Sequence, residues 1–116
     1  MAKQAHVKNG IGHFDIAGPD IAKLSAFYAA VFGWNIKSAG PGYAMVETPE
    51  GSANGALVEA KKSAITVGVV VPDLGKALAK AEEGGGKVAM PITDNGWVKK
   101  AQVTDPAGNL VTLIQG

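Results

Sequence analysis

The chain has 116 residues, of which 47% are apolar and 18% are charged, and its formal net charge is +1. These values are typical of one globular domain and exclude both a disordered chain and a strong long-range attraction for polyanions. All eleven basic residues are lysines, and cysteine is absent. Arginine is the side chain that usually binds phosphates and guanine edges through paired hydrogen bonds, so its absence argues against nucleic-acid binding. Without cysteine, thiolate catalysis and disulfides are excluded.

The N-terminal segment MAKQAHVKNG contains no apolar run of signal-peptide length, and no other stretch approaches the length of a membrane span. We therefore expect a cytoplasmic protein without a membrane partner. His6, in this segment, is expected to be exposed to solvent.

The first strand is predicted in GIGHFDIAG, residues 10–18. Side chains alternate between the two faces of a strand. If Phe14 and Ile16 face the core, His13 and Asp15 therefore share the opposite face. A carboxylate beside an imidazole can hold it in one tautomer, as a general base requires, or Asp15 can simply bond a neighbouring strand.

A helix is predicted after this strand, because Asp20 suits the N-cap and Gly33 suits the left-handed position that ends a helix. Its apolar residues recur at the spacing of one buried face: Ile21, Leu24, Phe27, Tyr28 and Val31. Phe32 and Trp34 are assigned to the same packing of helix on sheet. We expect this side of the unit to be structural.

Three short strands are predicted next, in residues 34–38, 43–48 and about 54–60, with Gly- and Pro-rich turns between them. Tyr43, Met45 and Glu47 share one face of the middle strand. An aromatic ring beside a methionine suits an adaptable apolar pocket, although packing in a core explains the pair equally well.

The second half repeats this order. A β-branched run at residues 64–74 leads into a helix from Asp73 to Glu83, and strands follow at residues 87–92, 97–103 and 110–114. The offset between the two Pro-Asp pairs is 53 residues (73 − 20). The sequence therefore predicts an α+β fold of two βαβββ repeats, about residues 10–60 and 64–115 of a single domain. Such repeats can form a cupped, barrel-like mixed sheet with the helices on its outer face and a ligand cavity on the concave face.

The motifs HFDIAGPDIAKLSAFYAAVFGW and DPAGN, together with the second Pro-Asp helix cap, resemble the vicinal oxygen chelate superfamily. That superfamily includes glyoxalases, bleomycin-resistance proteins and extradiol dioxygenases, and its members are built from paired βαβββ units. The resemblance extends over residues 10–115. DPAGN by itself is interpreted as turn chemistry, with Asp105 bonding nearby backbone N–H groups and Gly108 or Asn109 at positive φ.

The resemblance implies four metal-ligand positions, which in metal-dependent relatives hold His or Gln, Glu, His and Glu. They correspond here to His13, Thr66, Thr112 and a residue within one or two positions of Gly55, with Asn54 and Glu59 on either side of the last position. Hydroxyl groups of threonine are poor ligands for zinc, iron or nickel. Only His13 matches, so we expect no metal and no cofactor.

Trp97 follows the turn sequence DNG and is placed at the start of the seventh strand. Its ring could stack on a flat ligand or cap the apolar edge of the sheet. The candidate ligand-binding residues are therefore His13, Asp15, Tyr43, Met45, Thr66, Trp97 and Thr112.

Three functions remain open from the sequence. The first is a glyoxalase- and bleomycin-resistance-like protein that binds a small molecule of unknown identity without a metal. The second is a lyase or isomerase of the glyoxalase or epimerase type that uses His13 and Asp15 as an acid–base pair or a partial metal site. The third is a scaffolding module without a ligand. The resemblance also implies a homodimer.

Overall fold

The computed structural model of the protein describes residues 7–115. They form two compact units: residues 13–65 make up unit 1, and residues 7–12 with 66–115 make up unit 2. The elements follow the order strand, helix and three strands twice along the chain. The predicted α+β class and the two βαβββ repeats are therefore confirmed.

Unit 1 consists of one helix on a four-stranded sheet. Its elements are β1 (Ile11–Gly18), α1 (Ile21–Phe32), β2 (Asn35–Ser38), β3 (Tyr43–Glu47) and β4 (Asn54–Glu59). The strand order is β2-β3-β4-β1. β1 runs parallel to β4, whereas β2 and β3, and β3 and β4, are antiparallel. The parallel pair is joined through the helix and two further strands, as a parallel connection requires.

Unit 2 repeats this arrangement. Its elements are β5 (Ala64–Val71), α2 (Leu74–Glu83), β6 (Lys87–Asp94), β7 (Lys99–Thr104) and β8 (Leu110–Gln115). The order is β5-β8-β7-β6, with β5 parallel to β8 and antiparallel pairing elsewhere. The predicted elements are all present, and their ends differ by a few residues because hydrogen bonding to the neighbouring strand decides where each strand ends.

The ends of α1 follow the sequence signals. The Asp20 carboxylate accepts a hydrogen bond of 3.0 Å from the backbone N–H of Lys23, and Gly33 has φ 70° at the C-cap. The first position satisfies an otherwise orphan donor of the first turn, and the second needs the left-handed conformation that glycine adopts without strain. These two residues define where the helix begins and ends through local interactions, independently of its packing on the sheet.

One face of α1 packs on the sheet of unit 1. Ile21, Leu24 and Tyr28 contact a buried core whose members are Ile16, Ala44, Val46 and Leu57. Tyr28 also stacks on Trp34, with ring centroids 5.5 Å apart and planes 7° from parallel. The predicted helix–sheet packing therefore holds for these residues.

The predicted buried face of α1 is too wide. Phe27 and Val31 are 55% and 54% exposed, and Phe32 is 57% exposed. α1 is apolar around most of its circumference, with Lys23 and Ser25 as its only polar residues. A helix resting on a sheet covers little more than about 100° of its surface, so the remaining apolar side chains stay outside.

Unit 2 has its own core beneath α2. Buried Val71, Leu74, Ala101, Val103 and Leu113 form it. Leu74, the first residue of α2, is 1% exposed, and its backbone N–H donates to Oε1 of Gln115 at 3.2 Å. Asp73 caps the helix by accepting from the N–H of Lys76 at 3.0 Å. The helix start is therefore tied to the last strand by both packing and hydrogen bonding.

The DPAGN turn has the structural role that its sequence indicates. Oδ1 of Asp105 accepts from the N–H groups of Ala107 and Asn109, each at 2.9 Å, and Oδ2 accepts from Nδ2 of Asn109 at 2.9 Å. Gly108 has φ 93°, and Asn109 is not among the residues with positive φ. These bonds lead the chain into β8 and thereby set where Thr112 lies.

We expect the contribution of this turn to folding stability to depend on pH. Hydrogen bonds from the Asn109 side chain and backbone lower the pKa of Asp105 below its ordinary value of 3.8. A carboxyl group with a lower pKa in the folded state contributes stability above the unfolded-state pKa and loses it as pH falls through the folded-state value. Asp105→Asn should therefore lower the midpoint of urea unfolding at pH 7, and this difference from wild type should shrink towards pH 3. A difference independent of pH would contradict the assignment.

Within residues 7–115, neither helix has the length and apolar character needed to cross a membrane.

Candidate functional site on the sheet face of unit 1

The sheet of unit 1 has two chemically different sides. Ile16, Ala44, Val46 and Leu57 point to the α1 side, where they form the core. Alternation along the strands places their neighbours on the other side, which we call the far face of unit 1. The far face carries the following side chains: His13, Asp15 and Ala17 from β1, Asn35 and Lys37 from β2, Tyr43, Met45 and Glu47 from β3, and Asn54, Ala56 and Val58 from β4.

His13 and Asp15 form an ion pair or hydrogen bond on the far face. Nε2 of His13 lies 3.0 Å from Oδ1 of Asp15, and the two side chains are 21% and 34% exposed. When Nε2 carries the proton and donates to Asp15, Nδ1 remains to accept a proton from a ligand. The two side chains share one face as predicted, and of the two alternatives for Asp15 the contact with His13 is the one present. A histidine held in this way has the orientation that a general base needs.

Tyr43 lies near this pair. Partial burial, and then the negative charge of Asp15, raise the pKa of the Tyr43 phenol above its ordinary value of 10.0. The phenol therefore keeps its proton at neutral pH and can donate a hydrogen bond to a ligand.

A cavity of about 220 Å³ opens on the far face, between β2 and β3, and we call it the β2–β3 cavity. Its lining residues are Asn35, Lys37, Ser38, Ala39, Met45, Val46, Glu47 and Asn54. The volume is below the range of about 300–1,000 Å³ that is usual for drug-sized ligands, so it suits a smaller molecule. Of the residues predicted to bind a ligand, Met45 lies in its wall.

The strand register explains how these residues come together. Lys37 lies opposite Met45, Met45 opposite Ala56, and Ala56 opposite Asp15. This row crosses all four strands, with a cation at one end and a carboxylate at the other. Adjacent strands are about 4.8 Å apart, so the Cα atoms of Lys37 and Asp15 are separated by about 14 Å. The apolar centre of the row forms a floor between two charged ends.

A second, polar row runs beside the first. Asn35 lies opposite Glu47, and its Nδ2 donates to Oε1 of Glu47 at 3.4 Å. His13 lies opposite Asn54. Oδ1 of Asn54 accepts from the backbone N–H of Thr48 at 2.9 Å, which holds the loop between β3 and β4. The far face therefore offers amide, carboxylate and imidazole groups on strands rather than on loops.

The structure narrows the family ligand position of unit 1, placed from the sequence near Gly55, to a single residue. Asp15 and Gly68 are equivalent by the 53-residue offset; Asp15 lies opposite Ala56, and Gly68 lies opposite Thr112. The counterpart of Thr112 is thus Ala56, one residue beyond Gly55. A Cβ atom at Gly55 would lie 2.5 Å from the carbonyl oxygen of Phe14, so that position cannot carry a ligand side chain. Ala56 faces the correct side but has no donor atom.

The two remaining positions lie in unit 2. Thr112 is 6% exposed, and its Oγ1 accepts a hydrogen bond of 3.1 Å from Nε2 of Gln102. Leu113 packs in the core under α2, so the alternation puts Thr112 on the other face. Thr66, in β5, is partly buried. Gln102 was not singled out from the sequence, because its pairing with Thr112 depends on the register of β7 with β8.

These residues do not fit the metal site of the metal-dependent relatives. The four positions hold His13, Ala56, Thr66 and Thr112, an imidazole with two hydroxyls and a methyl group. Divalent metals of the zinc, iron and nickel kind need imidazole, carboxylate or thiolate ligands. Within the described part of the chain, no group of three or more His, Cys, Asp or Glu residues is arranged to hold an ion.

Trp97 lies at the tip of the turn between β6 and β7 and is 96% exposed. Oδ1 of Asn95 accepts from the N–H groups of Trp97 and Val98 at 3.0 Å each. The interpretation that Trp97 caps the apolar edge of the sheet is therefore wrong, since the ring packs on nothing there. His6, expected to be exposed, lies outside the described residues.

Comparisons with known proteins agree with this fold. The Glyoxalase/Bleomycin resistance protein/Dioxygenase superfamily matches residues 10–113 of the sequence. No curated protein matches the chain in sequence. A superfamily member from Vibrio splendidus 12B01 has a similar structure, with a TM-score of 0.71 and 17% identity over 89% of this chain and 96% of that chain.

Two further structures are similar at low sequence identity. Methylmalonyl-CoA epimerase from Mycobacterium tuberculosis has a TM-score of 0.71 and 16% identity over 99% of this chain and 92% of that chain. The Mn(II)-bound glyoxalase from Novosphingobium aromaticivorans has a TM-score of 0.72 and 21% identity, over 93% of this chain and 39% of that chain. At sequence identities this low, the similarity shows a shared fold but does not show a shared activity. The match over residues 10–113 establishes that this chain belongs to the Glyoxalase/Bleomycin resistance protein/Dioxygenase superfamily.

Proposed function

We propose that the protein binds a small organic molecule on the far face of unit 1 and needs no metal ion to do so. The observation that carries this proposal is the β2–β3 cavity, which opens on the same face as the His13–Asp15 pair. Concave sites with apolar walls and a few convergent polar groups are the usual form of a ligand site. Met45 supplies an adaptable apolar wall, and Asn35 and Glu47 supply polar groups.

The donor set supports metal independence. His13 is the one strong ligand among the four family positions, since the other three hold Ala56, Thr66 and Thr112. A scaffolding module without a ligand is less well supported, because such a module has no need for a cavity beside an oriented imidazole. The homodimer and the cytoplasmic location stay predictions.

The expected result of filling the cavity is a loss of binding. Met45→Trp should weaken small-fragment binding at least about tenfold, because the indole occupies the space beside Lys37, whereas Met45→Leu should bind like wild type because its volume is conserved. The measurement is a fragment-library titration by ¹H–¹⁵N correlation NMR with EDTA present. Elemental analysis of the purified protein accompanies it.

Two outcomes would contradict the proposal. One is binding that disappears in EDTA and returns on addition of Mn²⁺, Ni²⁺ or Zn²⁺. The other is stoichiometric metal in the purified protein that is lost in His13→Ala. Equal binding by the tryptophan and leucine variants would place the site elsewhere.

A second candidate is an isomerase or lyase that uses His13 in proton transfer. The 3.0 Å contact with Asp15 favours it, because that contact orients the imidazole and leaves Nδ1 for a substrate proton. In this role Tyr43 would donate a hydrogen bond to the substrate. Exchange of the α-proton of methylmalonyl-CoA for deuterium in D₂O separates the two candidates. An enzyme of this kind exchanges the proton, and His13→Ala abolishes the exchange; a binding protein leaves it unchanged.

A further inference from the structure

Lys37 is the cation of the β2–β3 cavity. It lies on β2 between Ile36, which packs against the core, and Ser38, which lines the cavity. Its register partner is Met45 on β3. Because a lysine stem is apolar, it can rest along the methionine while the ammonium group remains at the mouth of the cavity.

The charged side chains on the far face differ in whether they contact a group of opposite charge. Within residues 7–115, the ion pair shorter than 4.0 Å is that of His13 with Asp15, and Lys37 takes part in none. Asp15 is separated from Lys37 by two strands, and Glu47 accepts from the Asn35 amide. On the far face, the ammonium group of Lys37 is therefore a cation that no carboxylate contacts.

The surroundings of Lys37 limit the shape and charge of its partner. Met45 and Ala39 give the cavity apolar walls, and about 220 Å³ leaves room for a compact body. A single lysine offers one positive charge in a chain without arginine, which suits one carboxylate better than a phosphate with two charges. The Asn35 amide lies on the same strand and face and can donate or accept.

We propose that the β2–β3 cavity binds a small organic monocarboxylate, with its anionic group on Lys37 and its apolar body against Met45. This inference rests on the proposed function and adds the charge and class of the ligand. The competing arrangement is a cationic ligand on Glu47, which lines the same cavity.

Three probes of nearly equal size separate these arrangements: phenylacetate, phenylacetamide and 2-phenylethylamine. Titrated at low salt by ¹H–¹⁵N correlation NMR, phenylacetate should shift the amide signals of Lys37, Met45 and Glu47. It should bind about two- to fivefold more tightly than the amide, the factor expected for one solvent-accessible ion pair. The preference should decrease in about 0.5 M salt, because screening weakens exposed pairs.

Substitutions of the lysine test its role. Lys37→Met should abolish the preference for phenylacetate over phenylacetamide, and Lys37→Glu should reverse it in favour of 2-phenylethylamine. Lys61→Met is the matched control, because Lys61 is an exposed lysine of unit 1 outside the cavity lining, and it should keep the wild-type preference. All of these positions are exposed, so the variants should fold.

Three results would overturn the inference. Equal or tighter binding of 2-phenylethylamine at the same amides would assign the cavity to cations while leaving the proposed function intact. A preference for phenylacetate that persists in Lys37→Met would place the anion elsewhere. If none of the three probes shifts the cavity amides, the monocarboxylate inference is wrong, and the fragment library with the Met45 variants decides the proposed function separately.

Discussion

Replacing Gly55 by alanine should lower the free energy of unfolding by about 3 kcal/mol, because the added methyl group has no space. Its Cβ atom would lie 2.5 Å from the carbonyl oxygen of Phe14 and 2.6 Å from two ring carbons of the same residue. The carbonyl belongs to β1, which pairs with β4 at this point. The backbone therefore cannot move away without disturbing the parallel ladder, and the ring cannot move without disturbing its contact with Trp34.

Gly75→Ala is the matched control for this prediction. Gly75 lies in the first turn of α2, where the nearest atom to an added Cβ is Oδ1 of Asp73 at 3.4 Å, an ordinary contact. Alanine there should raise stability by about 0.5 kcal/mol, because it reduces the freedom of the unfolded chain. Urea unfolding followed by circular dichroism measures both variants. Similar effects of the two substitutions would show that crowding at Gly55 is not the cause.

Leu57→Ala should cost about 3–4 kcal/mol of unfolding free energy, within the usual range for a buried leucine. Leu57 is 0% exposed and lies at the centre of the unit 1 core with Ile16, Ala44 and Val46. Truncation removes buried apolar surface and leaves a cavity that the neighbouring strands, fixed by their ladders, cannot fill.

Val31→Ala provides the comparison within the same unit. Val31 is 54% exposed on α1, so its truncation should change stability by less than about 0.5 kcal/mol. Denaturant titrations of both variants should show a lower midpoint for Leu57→Ala with an unchanged slope. A large loss for Val31→Ala would indicate that the exposed side of α1 is covered in solution.

Gly55 and Ala56 also bear on the chemistry of the protein. Ala56 is the residue of unit 1 at the position where metal-dependent relatives carry a ligand. There, β4 presents only a methyl group to the far face. The residue beside it, Gly55, turns to the α1 side, where it allows Phe14 to approach the backbone closely. Ala56 therefore joins Thr66 and Thr112 as a family position without a strong metal ligand. This supports a binding site that works through hydrogen bonds, shape and one lysine.

Local sequence signals predicted the helices and their ends correctly. Asp20, Gly33 and Asp73 act through bonds and dihedral angles within a few residues, so no knowledge of distant contacts was needed. The same holds for Asp105, whose bonds stay inside its own turn. The shared face of His13 and Asp15 was also predicted, because two residues separated by one position lie on one strand face whatever the partner strands are.

Predictions that required contact between elements were less accurate. The apolar spacing of α1 indicated one buried face but not how much of the circumference the sheet covers, so Phe27 and Val31 were wrongly placed inside. The counterpart of Thr112 was placed near Gly55 to within a residue or two, and the strand register narrows this to Ala56. In a strand, a shift of one residue moves a side chain to the opposite face, so this uncertainty left the chemistry of the position open until the register was known.

The sequence alone determined the order of elements, the repeated βαβββ pattern and the superfamily, because each depends on residue type and spacing along the chain. The tertiary structure alone decided that Asn35, Lys37 and Glu47 line one cavity with Met45. These residues lie on two strands whose register follows from backbone hydrogen bonds across the sheet, and period-two alternation within each strand does not specify that register. The charge and size of the proposed ligand therefore come from the pairing of β2 with β3.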